Sequence, residues 1–215
     1  VAMRAHLGGS YPASQLLEVE ALRYLYLAKY GVAAPKAPRP VSAPLRVLAL
    51  TDYLLDNTQF QMRLLEQAAS LLPEGTVFVI KPHPNCPVNS VDYPGLCMTV
   101  TMEPLSTLLA KCDVAYASDG TMAAIDAYCA GVRVISVRDS KKLNLSPLLG
   151  FSGAVFVSTA DELANALILD VTSQNPPVGT IDFFCLDATL PRWRNVFDTD
   201  HFSKIVNSSL VRNSQ

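Results

Sequence analysis

The segment Lys81-Pro82-His83-Pro84 holds one cationic and one titratable side chain between two prolines. Proline fixes its own backbone and restricts the residue before it, so this turn presents both side chains rigidly. A histidine can donate a hydrogen bond to a phosphate or act as an acid, and a nearby lysine supplies a positive charge for the same anion. The turn therefore predicts an anion-binding or catalytic role. The alternative is that His83 caps a turn and Lys81 is solvated.

A second polar turn, Ser118-Asp119-Gly120-Thr121, precedes an apolar, helix-like stretch. A small turn with glycine leaves backbone N–H groups at a helix start free to hold a phosphate oxygen, and the hydroxyls of Ser118 and Thr121 add donors. The alternative is N-capping of that helix by Ser118 or Asp119, which needs no ligand. Asp119 would repel a diphosphate unless it points away to cap the helix.

Four further polar residues lie near these turns. Thr51 and Asp52 directly follow the apolar run 45–50. Asp126 can accept a hydrogen bond from a sugar or ribose hydroxyl, or it is a surface acid. Glu103 either borders a nucleobase pocket or is an acid favoured near a helix N-terminus.

The elements that must position these residues follow from the hydrophobic pattern. Apolar runs predict strands at 45–50, 76–81, 96–100, 113–118, 132–137 and 154–158, and helical spacing predicts helices around 56–72, 104–111, 120–130 and 160–169. Strands that are apolar on both sides and separated by helices form a parallel sheet covered on both faces. The expected fold is therefore α/β, a doubly wound, Rossmann-like sheet. Ligands bind such sheets outside the carboxyl ends of the strands, where these turns and Arg138-Asp139 lie.

The two ends of the chain have a different character. Residues 14–30 carry apolar side chains at three- and four-residue steps, which predicts an N-terminal helix capped by Ser14 and ended by Gly31. A proline-rich linker follows. The expected domains are 1–40 (helix and linker), 41–172 (Rossmann-like domain) and 173–215, a tail that crosses back near an interdomain face and is anchored by Trp193.

Composition excludes several functional classes. The 215 residues are 50% hydrophobic and 17% charged, and the 17 Lys and Arg against 19 Asp and Glu provide no basic excess for nucleic acid. No apolar run reaches 18 residues, so at most a peripheral membrane contact is expected. Five cysteines without metal-ligand spacing argue against a disulfide framework or a zinc site and favour a cytoplasmic setting.

Several catalytic motifs are missing from the sequence. It has no GxGxxG after a strand, no GxxxxGK[ST] and no GxSxG. No DxD pair follows a strand, so no metal is predicted. The chain begins without Met and without a signal-peptide pattern, and we expect it to be a piece of a larger protein.

The ordered set KPHP, a helix and the stretch 113–137 resembles the donor-binding half of GT-B glycosyltransferases. The KPHP element resembles the His-Pro motif of bacterial sialyltransferases and of capsule and surface-polysaccharide transferases, several of which use CMP-linked donors. The resemblance covers about residues 45–170. It departs at Arg133, where the family usually has Pro, and at Asp126, where it usually has Glu.

The resemblance implies that Lys81 and His83 act on the donor phosphate, which Ser118, Gly120 and Thr121 meet from the helix side. From the residues and the resemblance together, the predicted catalytic residues are His83 and Lys81, and the predicted donor-binding set is Thr51, Asp52, Lys81, His83, Glu103, Ser118, Asp119, Gly120, Thr121 and Asp126. A GT-B enzyme has two Rossmann-like domains, with the acceptor and usually the base on the first, and this chain supplies one. Alone it is expected to bind a donor but scarcely to turn over.

The expected function is donor binding by a glycosyltransferase of bacterial surface carbohydrate biosynthesis (capsule, O-antigen or lipopolysaccharide). The expected partners are a CMP- or UDP-linked sugar, a glycan or lipid-linked acceptor and an N-terminal GT-B domain of the same protein. No cofactor or metal is expected, and the location is the cytoplasm or the inner face of the membrane. The alternatives are a GT-B-like nucleotide-sugar epimerase, a polyol-phosphate transferase, or a non-catalytic scaffold domain of a polysaccharide-assembly complex.

Overall fold

The computed structural model describes residues 17–26, 43–144, 146–151, 154–169 and 184–198. These residues fall into two compact units, each with its own packing. Residues 17–26 and 184–198 form the smaller unit, so the described parts of the predicted first and third domains lie together. The larger unit contains the described residues between 43 and 169.

The larger unit is built on a six-stranded sheet in which every neighbouring pair of strands is parallel. The strands are β1 (Arg46–Leu50), β2 (Val77–Lys81), β3 (Met98–Val100), β4 (Val114–Ala117), β5 (Arg133–Val137) and β6 (Ala154–Val157). Their order, β3-β2-β1-β4-β5-β6, is that of a doubly wound sheet. The predicted fold class and all six predicted strands are confirmed.

The helices lie close to their predicted positions. In the larger unit they are α1 (Leu55–Ala69), α2 (Leu105–Lys111), α3 (Ala123–Cys129) and α4 (Ala160–Ile168), and in the smaller unit α5 (Pro191–Phe197). The largest differences are that α1 ends three residues before its predicted end and that α3 begins three residues after its predicted start. Among the described residues, no helix is both long and apolar enough to cross a membrane.

The core explains why the strands were recognisable. β4 and β5 are buried along their whole length, and β1 is exposed only at its first residue. A strand covered on both faces must be apolar throughout, which produces the continuous apolar runs. Met62, Leu65 and Ala68 of α1 and Leu163 of α4 belong to the core cluster on one face of the sheet.

One buried polar side chain ties α1 to the middle of the sheet. The Nε2 group of Gln61 donates to the carbonyl oxygens of Leu50 and Tyr116, both at 3.2 Å. These carbonyls lie near the carboxyl ends of β1 and β4. Because buried polar groups are costly unless hydrogen-bonded, this contact fixes α1 against both strand ends.

The smaller unit corrects the prediction of an N-terminal helix. Residues 17–24 contain only a three-residue 3₁₀ turn, Leu22–Tyr24, and Glu20 forms an isolated parallel bridge with Cys185. The helix prediction is therefore wrong over these residues. Its proposed cap Ser14 and stop Gly31 lie outside the described residues.

The physical reason is a contact distant in sequence. The Glu20 carboxylate accepts the backbone N–H groups of Arg192 (3.0 Å) and Trp193 (3.1 Å) at the start of α5. The Trp193 indole N–H donates back to the Glu20 carbonyl at 2.9 Å. These bonds outweigh the local helical spacing, because helix propensity is a weak preference that tertiary contacts override. They confirm that Trp193 anchors the tail.

Candidate functional site

The doubly wound order places a topological switch point between β1 and β4. From β1 the chain runs outward through β2 and β3, and it returns to the other side of β1 as β4. The crevice at the carboxyl ends of β1 and β4 is the expected ligand site of such a sheet. Asp52 follows β1 and Ser118 follows β4, and both are almost completely buried, with 1% of each residue exposed.

Asp52 and Ser118 are joined directly between the ends of β1 and β4. The Ser118 hydroxyl donates to Oδ2 of Asp52 at 2.6 Å, the short distance typical of a bond to an ionised carboxylate. The sequence prediction brought both residues to the site but had Ser118 donate to a phosphate. In the structure its hydroxyl proton is directed to Asp52.

Asp52 is fixed on several sides. Its Oδ1 accepts the N–H of Leu54 at 3.0 Å, and its Oδ2 accepts the side-chain amide of Asn57 at 3.3 Å. Burial by itself raises the pKa of Asp52, but the hydrogen bonds from Ser118, Leu54 and Asn57 outweigh it and hold the pKa below its usual value. Asp52 is therefore a fixed negative charge at neutral pH.

Asp119 and Gly120 adjoin this carboxylate. Burial and the charge of Asp52 raise the pKa of Asp119, against the hydrogen bonds from Gly120 and Ser118 and the charge of Lys142. A Cβ atom on Gly120 would lie 2.9 Å from Oδ2 of Asp52. Glycine is needed here for close approach, because no larger residue leaves room for the carboxylate.

The turn before α3 does not cap the helix as the alternative interpretation predicted. The N-cap residue is Met122, without a side-chain hydrogen bond, and the hydroxyl of Thr121 accepts the N–H of Ala123 at 3.4 Å. Capping by Ser118 or Asp119 is therefore wrong. Asp126 lies in the first turn of α3, half-buried.

The motif at the end of β2 is attached to the end of β1. The backbone N–H of His83 donates to the hydroxyl of Thr51 at 3.2 Å. The N–H of Asn85 donates to Nδ1 of His83 at 3.2 Å, so the neutral imidazole carries its proton on Nε2. The ring of Tyr53 stands edge-on to His83, with the ring centroids 6.1 Å apart. His83 thus holds its own turn through Nδ1 and retains Nε2–H as a donor.

Lys81 is hydrogen-bonded to Glu103 and not to a residue at the switch point. The Lys81 ammonium donates to the carbonyl oxygen of Glu103 at 2.9 Å, and the Glu103 carboxylate contacts Lys111 at 3.4 Å. Glu103 follows β3, at the edge of the sheet. These contacts do not bring Lys81 to the Ser118 turn, with which it was expected to share a phosphate. A phosphate-binding role for Lys81 remains a prediction.

Two residues of the crevice were missed by sequence reasoning. The Lys142 ammonium, in the loop after β5, donates to Oδ1 of Asn57 at 2.8 Å. Asn57 in turn holds Asp52. The position of Lys142 after a buried strand was a usable signal, since it follows Arg138-Asp139 by only three residues. The side chain of Asn57 gave no signal, because a polar residue in the first turn of a helix is common.

A separate groove of about 450 Å³ lies on the face of β1, β2 and β3 beside α2. Its lining includes Leu48, Val79, Leu108 and Glu103. The residues at the switch point are not among those that line it. Within the described parts of the chain, no cluster of three His, Cys, Asp or Glu residues could hold a metal ion.

No protein-family model matches the sequence, and no curated protein matches it either. Similar solved structures include the UDP-GlcNAc 2-epimerase of Methanocaldococcus jannaschii in complex with UDP-GlcNAc and UDP (TM-score 0.46, 10% identity, 72% of this chain and 44% of that chain). Another is the glycosyltransferase SnogD from Streptomyces nogalater (0.43, 17%, 70% and 45%). A third is KpsC, a beta Kdo 2,7 transferase of Thermosulfurimonas dismutans (0.41, 15%, 70% and 52%).

This chain spans about half of the length of those proteins or less. The described residues of the larger unit define a doubly wound parallel α/β sheet with a cluster of hydrogen-bonded polar residues at its switch point.

Proposed function

We propose that this chain is a nucleotide-sugar-binding domain, the donor-binding half of a glycosyltransferase. The observation that carries the proposal is the convergence of three predicted turns at one edge of the sheet. Ser118 bonds to Asp52 across the switch point, and His83 bonds to Thr51 one residue away. This is the edge at which doubly wound sheets bind their ligands.

In this proposal His83 is the residue that faces the leaving phosphate. During transfer, an oxygen of the acceptor forms a bond to the anomeric carbon and loses its proton to a base supplied with the acceptor site by the second domain. The bond between the anomeric carbon and the phosphate oxygen breaks, and the phosphate oxygen keeps the electron pair. A hydrogen bond from Nε2–H of His83 to the phosphate stabilises the charge that develops there. The bond from Asn85 to Nδ1 supports this role, because it fixes both the ring and its tautomer.

The carboxylates of Asp119 and Asp126 accept hydrogen bonds from the hydroxyl groups of the donor. Asp119 and Asp126 are half-buried acceptors, and a carboxylate binds a sugar or ribose hydroxyl but repels a phosphate. Asp52 is occupied by hydrogen bonds from its own protein and serves to position Ser118.

A second domain of the same protein is proposed to cover this edge and to supply the acceptor site. Several apolar side chains that follow the strands at this edge are exposed: Tyr53, Leu54, Leu55, Met122 and Leu143, the last at 79%. Clustered exposed apolar residues mark interaction surfaces. The finer assignment, to bacterial surface carbohydrate synthesis with a glycan or lipid-linked acceptor, rests on the sequence resemblance.

The same apolar residues also favour a second candidate, a non-catalytic scaffold domain. A scaffold needs the apolar surface but not the hydrogen-bonding capacity of the crevice. The two candidates therefore differ in nucleotide binding.

The test is calorimetric titration of the chain with UDP, CMP and GDP, comparing His83→Ala with His83→Asn. Asparagine keeps a side-chain acceptor for the N–H of Asn85 but lacks a donor at the position of Nε2. We expect saturable binding of at least one nucleotide and a loss of about tenfold or more in both variants, the value of one hydrogen bond to a charged group. Full affinity in His83→Asn would show that the histidine only holds its turn. No binding by the unmodified chain would favour the scaffold.

A further inference from the structure

Lys142 reaches the switch point from the loop after β5. Its ammonium donates to Oδ1 of Asn57 at 2.8 Å, and the amide of the same Asn57 donates to Asp52 at 3.3 Å. Asp52 is bound to Ser118. An unbroken series of contacts therefore connects Lys142 to both sides of the crevice.

The carboxylates at the switch point would repel a phosphate unless a cation lies near them. Asp52 is ionised and fixed, Asp119 adjoins it, and Asp139 lies at the end of β5. A phosphate brought to this place is repelled by these carboxylates unless a positive charge lies between them. Lys142 carries such a charge, and it acts on Asp119 by lowering its pKa against the effect of burial.

Lys81, the cation that the sequence favoured, is held elsewhere. It donates to the carbonyl of Glu103, which follows β3. In the observed strand order the end of β3 lies three strand spacings from the end of β4, about 14 Å. A phosphate at the Ser118 turn is therefore far from the present partner of Lys81.

We infer that Lys142 is the cation that binds the phosphate of the ligand at the switch point; this inference rests on the proposed function. In the free protein, the ammonium of Lys142 donates a hydrogen bond to the neutral amide oxygen of Asn57. On binding, its ammonium exchanges Oδ1 of Asn57 for a phosphate oxygen, while the amide of Asn57 continues to hold Asp52.

The present contacts of Lys142 are weak enough for this exchange. The ion pair with Asp139 is long, at 3.8 Å, and 46% of the Lys142 side chain is exposed. Ion pairs of this kind contribute little to stability. A phosphate oxygen carries negative charge whereas Oδ1 of Asn57 is neutral, so the ammonium is attracted more strongly to the phosphate.

The test compares lysine variants of the whole chain in titrations with UDP, CMP and GDP. Lys142→Met removes the charge, Lys142→Arg retains it, and Lys111→Met is the matched control, since Lys111 is also an exposed lysine in one ion pair. For the nucleotide that binds, we expect about tenfold weaker affinity in Lys142→Met and a shallower dependence on salt. Lys142→Arg should stay within about threefold of the unmodified chain, and Lys111→Met should not change. All four proteins should have the same thermal midpoint.

The outcomes separate the two proposals. If the unmodified chain binds none of the three nucleotides, the proposed function and the role of Lys142 are both overturned. If it binds and Lys142→Met behaves like Lys111→Met, the role of Lys142 alone is overturned. A tenfold loss of nucleotide affinity in Lys81→Met, with no loss in Lys142→Met, would show that Lys81 and not Lys142 binds the phosphate.

Discussion

Replacing Gly120 by alanine tests how closely this residue approaches the carboxylate of Asp52. The new Cβ atom would lie 2.9 Å from Oδ2 of Asp52, whereas comfortable contact begins near 3.5 Å. Gly120 does not adopt a positive φ, so the cost arises from this contact and not from the backbone. The carboxylate must retreat by about 0.6 Å, the difference between those two distances. That movement disrupts its 2.6 Å bond from Ser118.

The loss of a hydrogen bond to a charged group predicts that Gly120→Ala lowers the free energy of unfolding by about 1.5–3 kcal/mol. Urea unfolding followed by far-UV circular dichroism measures it. Tryptophan fluorescence is unsuitable, because the single tryptophan, Trp193, lies in the other unit. The same substitution in an Asp52→Ala background should cost less than about 0.5 kcal/mol, since the clashing atoms are gone. Equal costs in both backgrounds would refute the close approach of Gly120 to Asp52.

Two further predictions concern carboxylates. Asp52→Asn should destabilise the chain at neutral pH by about 1–3 kcal/mol. Because the folded pKa of Asp52 is depressed, the difference should persist above the unfolded pKa of about 3.9 and disappear as the pH falls through the folded pKa. Urea midpoints that differ by the same amount at every pH would contradict this. Glu20→Gln should weaken the hydrogen bonds to the first N–H groups of α5 and lower the urea midpoint of Trp193 fluorescence. Glu18→Gln removes only a partly exposed ion pair with Arg192 and should lower the midpoint much less. An unchanged midpoint in Glu20→Gln would show that its carboxylate contributes nothing.

The fold was predictable because its signal is local. Strands covered on both faces must be apolar along their length, so β1, β4 and β5 stood out as runs. The site turns were predictable for the same reason, since each directly follows a buried strand. The strand order itself was not required for these inferences.

The partners of the site residues were less predictable, because they depend on contacts distant in sequence. Ser118 bonds to a carboxylate 66 positions away, and Lys142 bonds to an amide 85 positions away. Lys81 and His83 are neighbours in the motif, yet one bonds toward β3 and the other toward β1. The helix prediction fails over residues 17–24 for the same reason, since Glu20 is held by residues more than 170 positions away.

Amide chemical-shift mapping measures directly whether the switch point between β1 and β4 binds the phosphate of a nucleotide. The ¹⁵N-labelled chain is titrated with UDP, CMP or GDP, and the residues whose signals move are assigned. The largest changes are predicted at 51–54, at His83 and Asn85, and at 118–121, with smaller ones at 139–142. Saturable changes confined to the groove beside α2, at 99–112, or an unchanged spectrum with all three nucleotides, would contradict phosphate binding at the switch point.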